Sequence, residues 1–416
     1  MADKPKIRFK GFTDAWEQRK LSEVAVIVGG GTPSTNIPEY WDGDIDWYAP
    51  AEINDQIYVD GSERKITKLG LEKSSAKILP ADKTVLFTSR AGIGKTAILR
   101  RSGATNQGFQ SMVLNDETNP YFVFSMSKFI KEEAERVASG STFAEVSGKM
   151  LGNLAFMFPT KKEQDKIGEY FADLDNLITL HQRKLKHVKD LKKSMLQKMF
   201  PQQGSLEPEI RFPGFTEPWE QRKLEDMCTI ITKQTGFDYS ATIKPSLVTT
   251  KESDTYSFIQ NKDFEGTNIN LDTDFYIPIS VAEKYPKITL DQPSLLISIS
   301  GRIGNVGLYS LESKAFIGGA VGICKLKNIE DGKTALYELL SPAGQKYFNS
   351  LIKASSHANI TVEDIRNIEI LLPKDEDEKK KLNSYFDNLD NLITLHQRKC
   401  EQLQLLKHAL QQKMFV

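Results

Sequence analysis

The sequence predicts two mixed α/β (α+β) globules, each followed by a long α-helix, with the two helices paired as an antiparallel coiled coil. Three observations predict this architecture. The chain has 416 residues, more than one hydrophobic core usually accommodates. Two blocks of sequence each occur twice. The second of these blocks carries apolar residues at alternating steps of three and four, which is typical of a coiled-coil helix.

The first repeated block is a lead-in that reads IRFKGFTDAWEQRKL at 7–21 and IRFPGFTEPWEQRKL at 210–224. The second covers 171–200 and 386–415, and the stretch DNLITLHQRK is identical in its two copies. The sequences between the blocks have diverged widely. We therefore predict an internal duplication with pseudo-two-fold symmetry, divided into a globule at 7–158, a helix at 159–200, a linker at 201–209, a second globule at 210–372 and a second helix at 373–416.

The second block predicts one uninterrupted helix in each copy, because it contains neither Gly nor Pro, and Pro201 with Gly204 ends the first. Thirty helical residues span roughly 45 Å, whereas ten extended residues reach about 35 Å at most. A parallel pair would require the second globule to bridge most of the helix length, so we predict an antiparallel pair with the globules at opposite ends. The predicted core positions are Phe171, Leu174, Ile178, His181, Leu185, Val188, Phe386, Leu389, Ile393, His396, Leu403 and Leu410.

Two polar residues recur within this seam. His181 and His396 occupy equivalent positions, and we favour a role in setting the helix register over a metal or catalytic site. Lys192 and Lys407 are also equivalent, and we expect their amino groups to extend into solvent.

Composition excludes several classes of protein. Lys and Arg number 55, as do Asp and Glu, so bulk basicity of the histone type is excluded, although a local basic patch is not. The cysteines, Cys228, Cys324 and Cys400, are too few and too far apart for a disulfide framework or a CxxC metal site. The N-terminus lacks an apolar signal region and no run of 18 apolar residues occurs, so we expect a cytoplasmic protein.

The order of several short motifs, repeated along the chain, resembles the specificity subunit of type I restriction–modification systems. These motifs are the lead-in WEQRKL at 16–21, the turn TSRAGIG at 88–94 followed by NQGF at 106–109, and the run from Pro159 into the helix. The resemblance implies two target recognition domains, each reading one half of a split, asymmetric site in double-stranded DNA. It also implies that the helices set the gap and dock two methyltransferase subunits, and through them restriction and translocase subunits. S-adenosylmethionine, ATP and Mg²⁺ would be bound by those partners, with no cofactor, metal or catalytic residue on this chain.

Candidate DNA contacts are polar, basic or glycine residues in predicted turns, because such residues read base edges or let the backbone approach phosphates. In the first globule they are Thr32, Ser34, Ser89, Arg90, Gly92, Gly94, Lys95, Asn106, Gln107, Gln110, Ser141 and Thr142. In the second they are Lys251, Tyr256, Gln260, Lys262, Ser298, Ser300, Arg302, Asn305, Ser355, Ser356 and His357. For each, an ordinary surface turn is the alternative. Trp41, Trp47 and Tyr48 are candidates to stack on a flipped base, with a core or rim position as the favoured interpretation.

Two enzyme-like motifs are incomplete. SRAGIGKT at 89–96 has Ser where a phosphate-binding loop needs Gly, and NPYF at 119–122 lacks the second Pro of the adenine methyltransferase tetrapeptide that it resembles. We therefore predict a non-catalytic DNA-binding subunit. The alternative is a protein–protein scaffold with two unlike binding heads and no DNA sequence specificity.

Overall fold

The computed structural model describes residues 5–90, 92–138, 145–202, 204–301, 303–353 and 359–415. The chain divides into two compact units, Met1–Gln182 with Arg398–Val416 (unit 1) and Arg183–Gln397 (unit 2). Each unit therefore contains one globule and a segment of both long helices. No helix in the described ranges is both long and apolar enough to cross a lipid bilayer.

The globule of unit 1 combines ten strands with five short helices among its described residues. In chain order these are β1 (Glu17–Lys20), α1 (Leu21–Val24), β2 (Ala25–Gly29), β3 (Trp41–Tyr48), β4 (Tyr58–Val59), β5 (Arg64–Ile66), α2 (Lys68–Glu72), β6 (Thr84–Phe87), β7 (Thr96–Leu99), β8 (Gly103–Thr105), β9 (Gln110–Leu114), α3 (Pro120–Ser125), α4 (Ser127–Ala138), α5 (Gly148–Asn153) and β10 (Ala155–Phe158). The long helix α6 (Lys161–Lys198) follows.

The strands of unit 1 form three sheets. The lead-in strand β1 pairs antiparallel with β10 directly before α6. A five-stranded sheet has the order β2-β9-β6-β7-β4, and a three-stranded sheet has the order β5-β3-β8, in which β3 and β8 are parallel. All four residues of β6 are buried, as expected for a central strand with apolar side chains on both faces.

Unit 2 contains twelve described strands and a second set of helices. They are β11 (Glu220–Lys223), α7 (Leu224–Met227), β12 (Cys228–Lys233), α8 (Gly236–Asp238), α9 (Lys244–Ser246), β13 (Thr255–Ile259), β14 (Phe264–Glu265), β15 (Asn268–Ile269), β16 (Tyr276–Pro278), α10 (Ile279–Ala282), β17 (Thr289–Leu290), β18 (Ser294–Ser298), β19 (Val306–Tyr309), β20 (Ala315–Ile317), β21 (Val321–Leu326), α11 (Ile329–Leu340), α12 (Pro342–Lys353), α13 (Val362–Arg366) and β22 (Glu369–Leu372). The second long helix, α14 (Glu376–Met414), follows.

The topology of unit 2 repeats that of unit 1 despite the divergence in sequence. The lead-in strand β11 pairs antiparallel with β22, and the sheet β12-β21-β18-β19 has the strand order of β2-β9-β6-β7. A further sheet, β16-β13-β20-β17, again contains one parallel pair, β13 with β20. The predicted duplication of a mixed helix-and-sheet domain is confirmed.

The segments of α6 and α14 run antiparallel within each unit. In unit 1, the ring of Phe171 stacks on Phe415 with centroids 5.7 Å apart, and Asp175, one turn further along, binds Lys407. In unit 2, Phe200 contacts Phe386 at 5.6 Å, and Lys192 binds Asp390. The twelve predicted core positions of the two helices are all buried or half-buried.

The expectation that Lys192 and Lys407 extend into solvent is wrong. The Lys407 Nζ lies 2.6 Å from Asp175 Oδ1, and the Tyr121 hydroxyl donates to Oδ2 of the same carboxylate at 2.8 Å. In unit 2, Asp390 accepts from Lys192 and from Tyr337. A carboxylate removed from water needs a cation and hydrogen-bond donors, and these lysines supply the charge from the partner helix.

The conserved lead-in of each copy anchors the start of the adjacent long helix. Arg8 binds Glu163 through two hydrogen bonds of 2.6 and 2.7 Å, and Arg211 binds Glu378 in the same way at 2.6 and 2.8 Å. Both glutamates lie in the first turn or two of their helices, and their side chains are 0% and 2% exposed. The identical Ile-Arg-Phe motifs therefore provide equivalent buried ion pairs.

Glu338 of α11 provides a testable pH dependence. Its Oε2 accepts the Leu371 N–H at 2.7 Å beside a cavity of about 440 Å³, and burial raises the pKa of its carboxyl to about 8. Between the unfolded pKa near 4.5 and pH 8 the folded chain holds a proton that the unfolded chain has released, so the free energy of unfolding should fall as the pH rises through this range.

Glu338→Gln retains a carbonyl oxygen for Leu371 but cannot ionise. We expect urea unfolding at pH 5, 6, 7 and 8 to show a smaller decline of stability with pH in this variant than in the unsubstituted chain. Equal pH slopes for the two proteins would contradict the assignment.

Candidate nucleic-acid interface

The turn between β6 and β7 is held in shape by hydrogen bonds from its first residue. The Thr88 N–H donates to the Lys95 carbonyl at 3.0 Å, and the Gly94 N–H donates to the Thr88 carbonyl at 2.9 Å. The Thr88 hydroxyl donates to the Gly92 carbonyl at 2.6 Å and accepts the Lys95 N–H at 2.9 Å. Gly92 and Gly94 have φ values of +107° and +84°, which favour glycine, so the turn is preorganised.

The exposed part of this turn carries two cations. Arg90 is half-exposed and passes beside Gly108, while Lys95 is exposed. Neither forms an ion pair with any residue that the structure describes. The turn therefore presents positive charge that no described residue neutralises, and DNA contact by these two residues stays a prediction.

A second group of predicted residues converges from two other loops. The Thr32 hydroxyl donates to Gln107 Oε1, and Asn106 Nδ2 donates to Thr32 Oγ1 at 3.4 Å. The Ser89 N–H donates to the Gly108 carbonyl at 2.8 Å and so connects the turn to this group. Glycine is required at position 30 because a Cβ there would lie 2.0 Å from the Asn106 carbonyl oxygen.

Trp41, Trp47 and Tyr48 belong to the core, so stacking on a flipped base is wrong for the described conformation. They are 7%, 4% and 0% exposed. The two indole N–H groups donate to the carbonyls of Ser34 and Gly31, at 3.1 and 2.8 Å. Both tryptophans therefore position the glycine-rich loop from beneath and leave the side chain of Ser34 exposed.

Three further predictions for contact residues are corrected by burial. The side chains of Ser89 and Ser298 are fully buried, and Gly94 packs against α4, where a Cβ would lie 2.4 Å from Lys131 Cγ. Each sits at the junction of a central strand and its turn, so it supports the turn from inside. Gln110 is half-buried between Gly29 and Gly148 at the start of β9.

The turn between β18 and β19 in unit 2 has the same backbone hydrogen bonds. The Ser298 N–H donates to the Asn305 carbonyl at 2.9 Å, and the Gly304 N–H donates to the Ser298 carbonyl at 3.3 Å. Gly301 and Gly304 again have positive φ values, +73° and +89°. The faint sequence parallel between 88–94 and 298–304 thus corresponds to the same two closing hydrogen bonds among the described residues, with different side chains.

Only part of the predicted set in unit 2 meets at this turn. Asn261, which follows Gln260 after β13, donates through Nδ2 to the Ser300 carbonyl at 2.6 Å. By contrast, Lys251 precedes β13, and the Tyr256 side chain packs on a hydrophobic core. Lys262 is exposed but already paired with Asp274. Asn261 therefore lies beside Ser300, with its amide bound to the backbone of the turn.

Six predicted residues lie outside the described part of the chain: Ser141, Thr142, Arg302, Ser355, Ser356 and His357. Within the described ranges, no cluster of three or more His, Cys, Asp or Glu side chains is arranged to hold a metal ion.

Sequence reasoning missed Gln234, which follows β12. Its side chain is 3% exposed, and neither its amide nitrogen nor its oxygen has a hydrogen-bond partner. A cost of about 1–3 kcal/mol attaches to each buried polar group left unpaired. The sequence offers no signal for this residue, because its burial depends on the diverged loop around Gly319.

Comparisons with known proteins agree with this geometry. The family model described as the type I restriction modification DNA specificity domain matches twice, at 13–190 and 216–405. The MjaIX specificity subunit of Methanocaldococcus jannaschii is 35% identical over 167 residues, which cover 39% of this chain and 38% of that protein. The MjaVIII specificity subunit of the same organism is 24% identical over 414 residues, covering 95% of this chain and 91% of the relative.

Solved structures show the same fold over the full length. The S subunit of a type I restriction–modification system from M. genitalium aligns with a TM-score of 0.65 at 14% identity, covering 99% of both chains. A chain from a study of complex assembly and conformational transition of the type I R-M system aligns with a TM-score of 0.55 at 18% identity, covering 98% of this chain and 99% of that one. With two matched domains, a duplicated fold and paired polar turns, the chain belongs to the family of type I restriction–modification DNA specificity proteins.

Proposed function

We propose that this chain is the DNA-recognition subunit of a type I restriction–modification complex and that each globule reads one half of an asymmetric, interrupted site. The observation that carries the proposal is the recurrence of one pair of closing hydrogen bonds in both turns, with unlike side chains around them. Unit 1 has Arg90 and Lys95 on the turn and Gln107 on a neighbouring loop, whereas the described part of the unit 2 turn has Ser300 and Asn305. Similar turns with different side chains are what two readers of different base sequences require.

The side chains at both turns match known modes of base recognition. Arg binds guanine through O6 and N7, while Asn and Gln bind adenine through N6 and N7. Backbone N–H groups and lysines near such turns bind phosphates and set the register on the duplex. Arg90 and Gln107 in unit 1 and Ser300 and Asn305 in unit 2 are the proposed base-reading residues.

The proposal includes the partners and the location. Two methyltransferase subunits would dock on the identical DNLITLHQRK segments of α6 and α14 and supply S-adenosylmethionine. Restriction and translocase subunits would join through them and use ATP and Mg²⁺, while this chain binds no cofactor. The complex would act on double-stranded DNA in the cytoplasm.

The direct test is a map of methylated adenines in cells with and without this chain. We expect modification at a site of two unlike half-sequences separated by a fixed gap, and its loss when the chain is deleted. Methylation within one short continuous palindrome would contradict the proposal.

The alternative is a scaffold that binds two proteins and lacks DNA sequence specificity. Electrophoretic shift assays on the purified assembly separate the two functions. Salt-dependent binding that prefers the mapped site over scrambled duplexes supports DNA recognition, and binding that ignores base order supports the scaffold.

Arg90→Ala tests the reading of the first half-site. If the guanidinium makes a bidentate contact to guanine, its loss should weaken binding by about 1–3 kcal/mol and relax the base preference at one position of that half-site. The second half-site is the internal control, and its preference should stay unchanged. Equal loss of preference in both halves would contradict the assignment. Binding to a library of half-site variants measures both.

A further inference from the structure

The two long helices differ in charge where they otherwise repeat. Residues 183–198 contain seven Lys or Arg and one acidic residue, whereas the matched residues 398–413 contain four and one. The three additional cations are Lys186, Lys189 and Lys193, and their counterparts are Glu401, Gln404 and His408. Because the two helices are otherwise so similar, the requirements of helix formation and pairing, which both share, do not explain why only α6 has these lysines. The explanation should lie in the surroundings of α6 in unit 2.

The three lysines share one face of the helix. At 100° per residue, positions 186, 189 and 193 fall within an arc of about 60°. We call them the lysine stripe. Lys192, which is not a member, lies next to the stripe and is bound to Asp390 in the seam. The stripe is therefore distinct from the contacts that pair the helices.

A cavity of about 590 Å³ in unit 2 adjoins the stripe. Its polar lining consists of Lys189, Lys193 and the seam residue Lys192, with Thr267, Asn305 and Gln345, and the remaining lining is Gly266 and six apolar residues. Asn305 closes the turn that begins at Ser298, and Gln345 donates to the Gly304 carbonyl of the same turn at 3.0 Å. The lysine-lined cavity is thus continuous with the proposed base-reading turn of the second globule.

The charge in this cavity is not neutralised by the described residues. Lys189 and Lys193 are exposed and form no ion pair with any of them. The seam carboxylate Asp390 is already bound by Lys192, Tyr337 and Thr267. The ammonium groups of Lys189 and Lys193 therefore lack a carboxylate partner among the described residues and lie beside amide side chains. This arrangement favours an anionic ligand.

We propose that the lysine stripe binds backbone phosphates of the DNA duplex next to the half-site read by the second globule. This inference rests on the proposed function and adds a phosphate contact from a helix to it. Phosphate contacts fix register without reading sequence, so the stripe holds the duplex against the turn. In unit 1 the position equivalent to Lys193 is His408, whose Nε2 lies 3.4 Å from Lys128 Nζ of α4.

The test replaces two stripe residues by those of the second helix, Lys189→Gln with Lys193→His, in the full-length chain within its DNA-binding assembly. At pH 8 a histidine near its usual pKa is neutral. We expect the double variant to bind every duplex more weakly. We also expect the slope of log K against log salt concentration to be smaller in magnitude by about 1.8, because each lost phosphate contact reduces this slope by about 0.9. The matched control is Lys166→Gln, which removes an exposed lysine of α6 in unit 1 that is already paired with Glu169 and should leave the slope unchanged.

An unchanged slope in the double variant would overturn the phosphate site, and so would an equal change in the control. The proposed function would still be supported in either case if the unsubstituted chain binds DNA sequence-selectively. Loss of subunit assembly with unchanged DNA affinity would instead indicate an acidic protein partner and also overturn it. If circular dichroism shows that the double variant misfolds, the test uses the unsubstituted chain instead. Its binding is then measured to duplexes in which single phosphates are replaced by neutral methylphosphonates. Neutralising phosphates next to the second half-site should weaken its binding, and no effect at any position would refute the inference.

Discussion

Replacing Arg8 by alanine should lower the free energy of unfolding of unit 1 by about 3–5 kcal/mol. The substitution removes both hydrogen bonds to Glu163, whose side chain is 0% exposed. A buried carboxylate without its cation must either stay charged in an apolar setting or take up a proton, and both are costly. Because Glu163 lies near the start of α6, local loss of helical structure at Lys161 should accompany the destabilisation.

Arg211→Ala makes the same change in unit 2 and should cost less. There the indole N–H of Trp219 donates to Glu378 Oε1 at 3.3 Å and remains after the arginine is removed. In unit 1 the indole nitrogen of Trp16 has no hydrogen-bond partner, so Glu163 has no such remaining donor. We therefore expect unequal effects from two substitutions at equivalent positions of the repeat.

Hydrogen exchange followed by mass spectrometry measures the two units separately in one experiment. Arg19→Ala is the matched control, because Arg19 pairs with Glu17 on the surface, where such pairs contribute about 0–1 kcal/mol. The double variant Arg8→Met with Glu163→Leu should recover much of the stability, since an apolar pair leaves no buried charge. An Arg8→Ala effect no larger than that of Arg19→Ala would show that the lead-in does not anchor the helix.

Much of this fold could be predicted because the duplication supplies an internal comparison. Residues retained in both copies, such as Arg8 with Arg211 and Asp175 with Asp390, serve the same contacts in both units. The heptad pattern identified the helix residues that are buried, since a 3.5-residue period places one face against a partner. What the pattern did not reveal is the partner of each polar seam residue. Lys407 meets Asp175 from a position 232 residues away in the chain, and no local pattern encodes that contact.

The candidate site was predicted less completely for a related reason. The glycines and polar residues at 88–95 indicated a turn, and the turn exists. Whether a side chain points outward depends on strand register, which places Ser89 and Ser298 inside while Arg90 reaches the surface. The burial of Gln234 depends on tertiary packing around a diverged loop, so nothing in the sequence indicated it, whereas the buried position of Trp47 was the favoured interpretation.

Deleting one heptad from each long helix should shorten the permitted gap between the half-sites by about three base pairs. Seven helical residues span about 10 Å, and successive base pairs are roughly 3.4 Å apart. Removing 180–186 together with the matched 395–401 keeps the three-and-four spacing of core residues, so the helices should still pair. Deleting from one helix alone would put the two out of register.

The gap is measured by selecting bound duplexes from a library in which the two half-sites are separated by every length from none to twelve base pairs. The control replaces 180–185 by the sequence of 395–400, which reads LHQRKC instead of LHQRKL, keeps the length and leaves Lys186 in place. The control should select the original gap, because length and not composition determines the spacing. If the shortened chain also selects the original gap, the helices do not set it, and the separation of the half-sites must be imposed by the partner subunits.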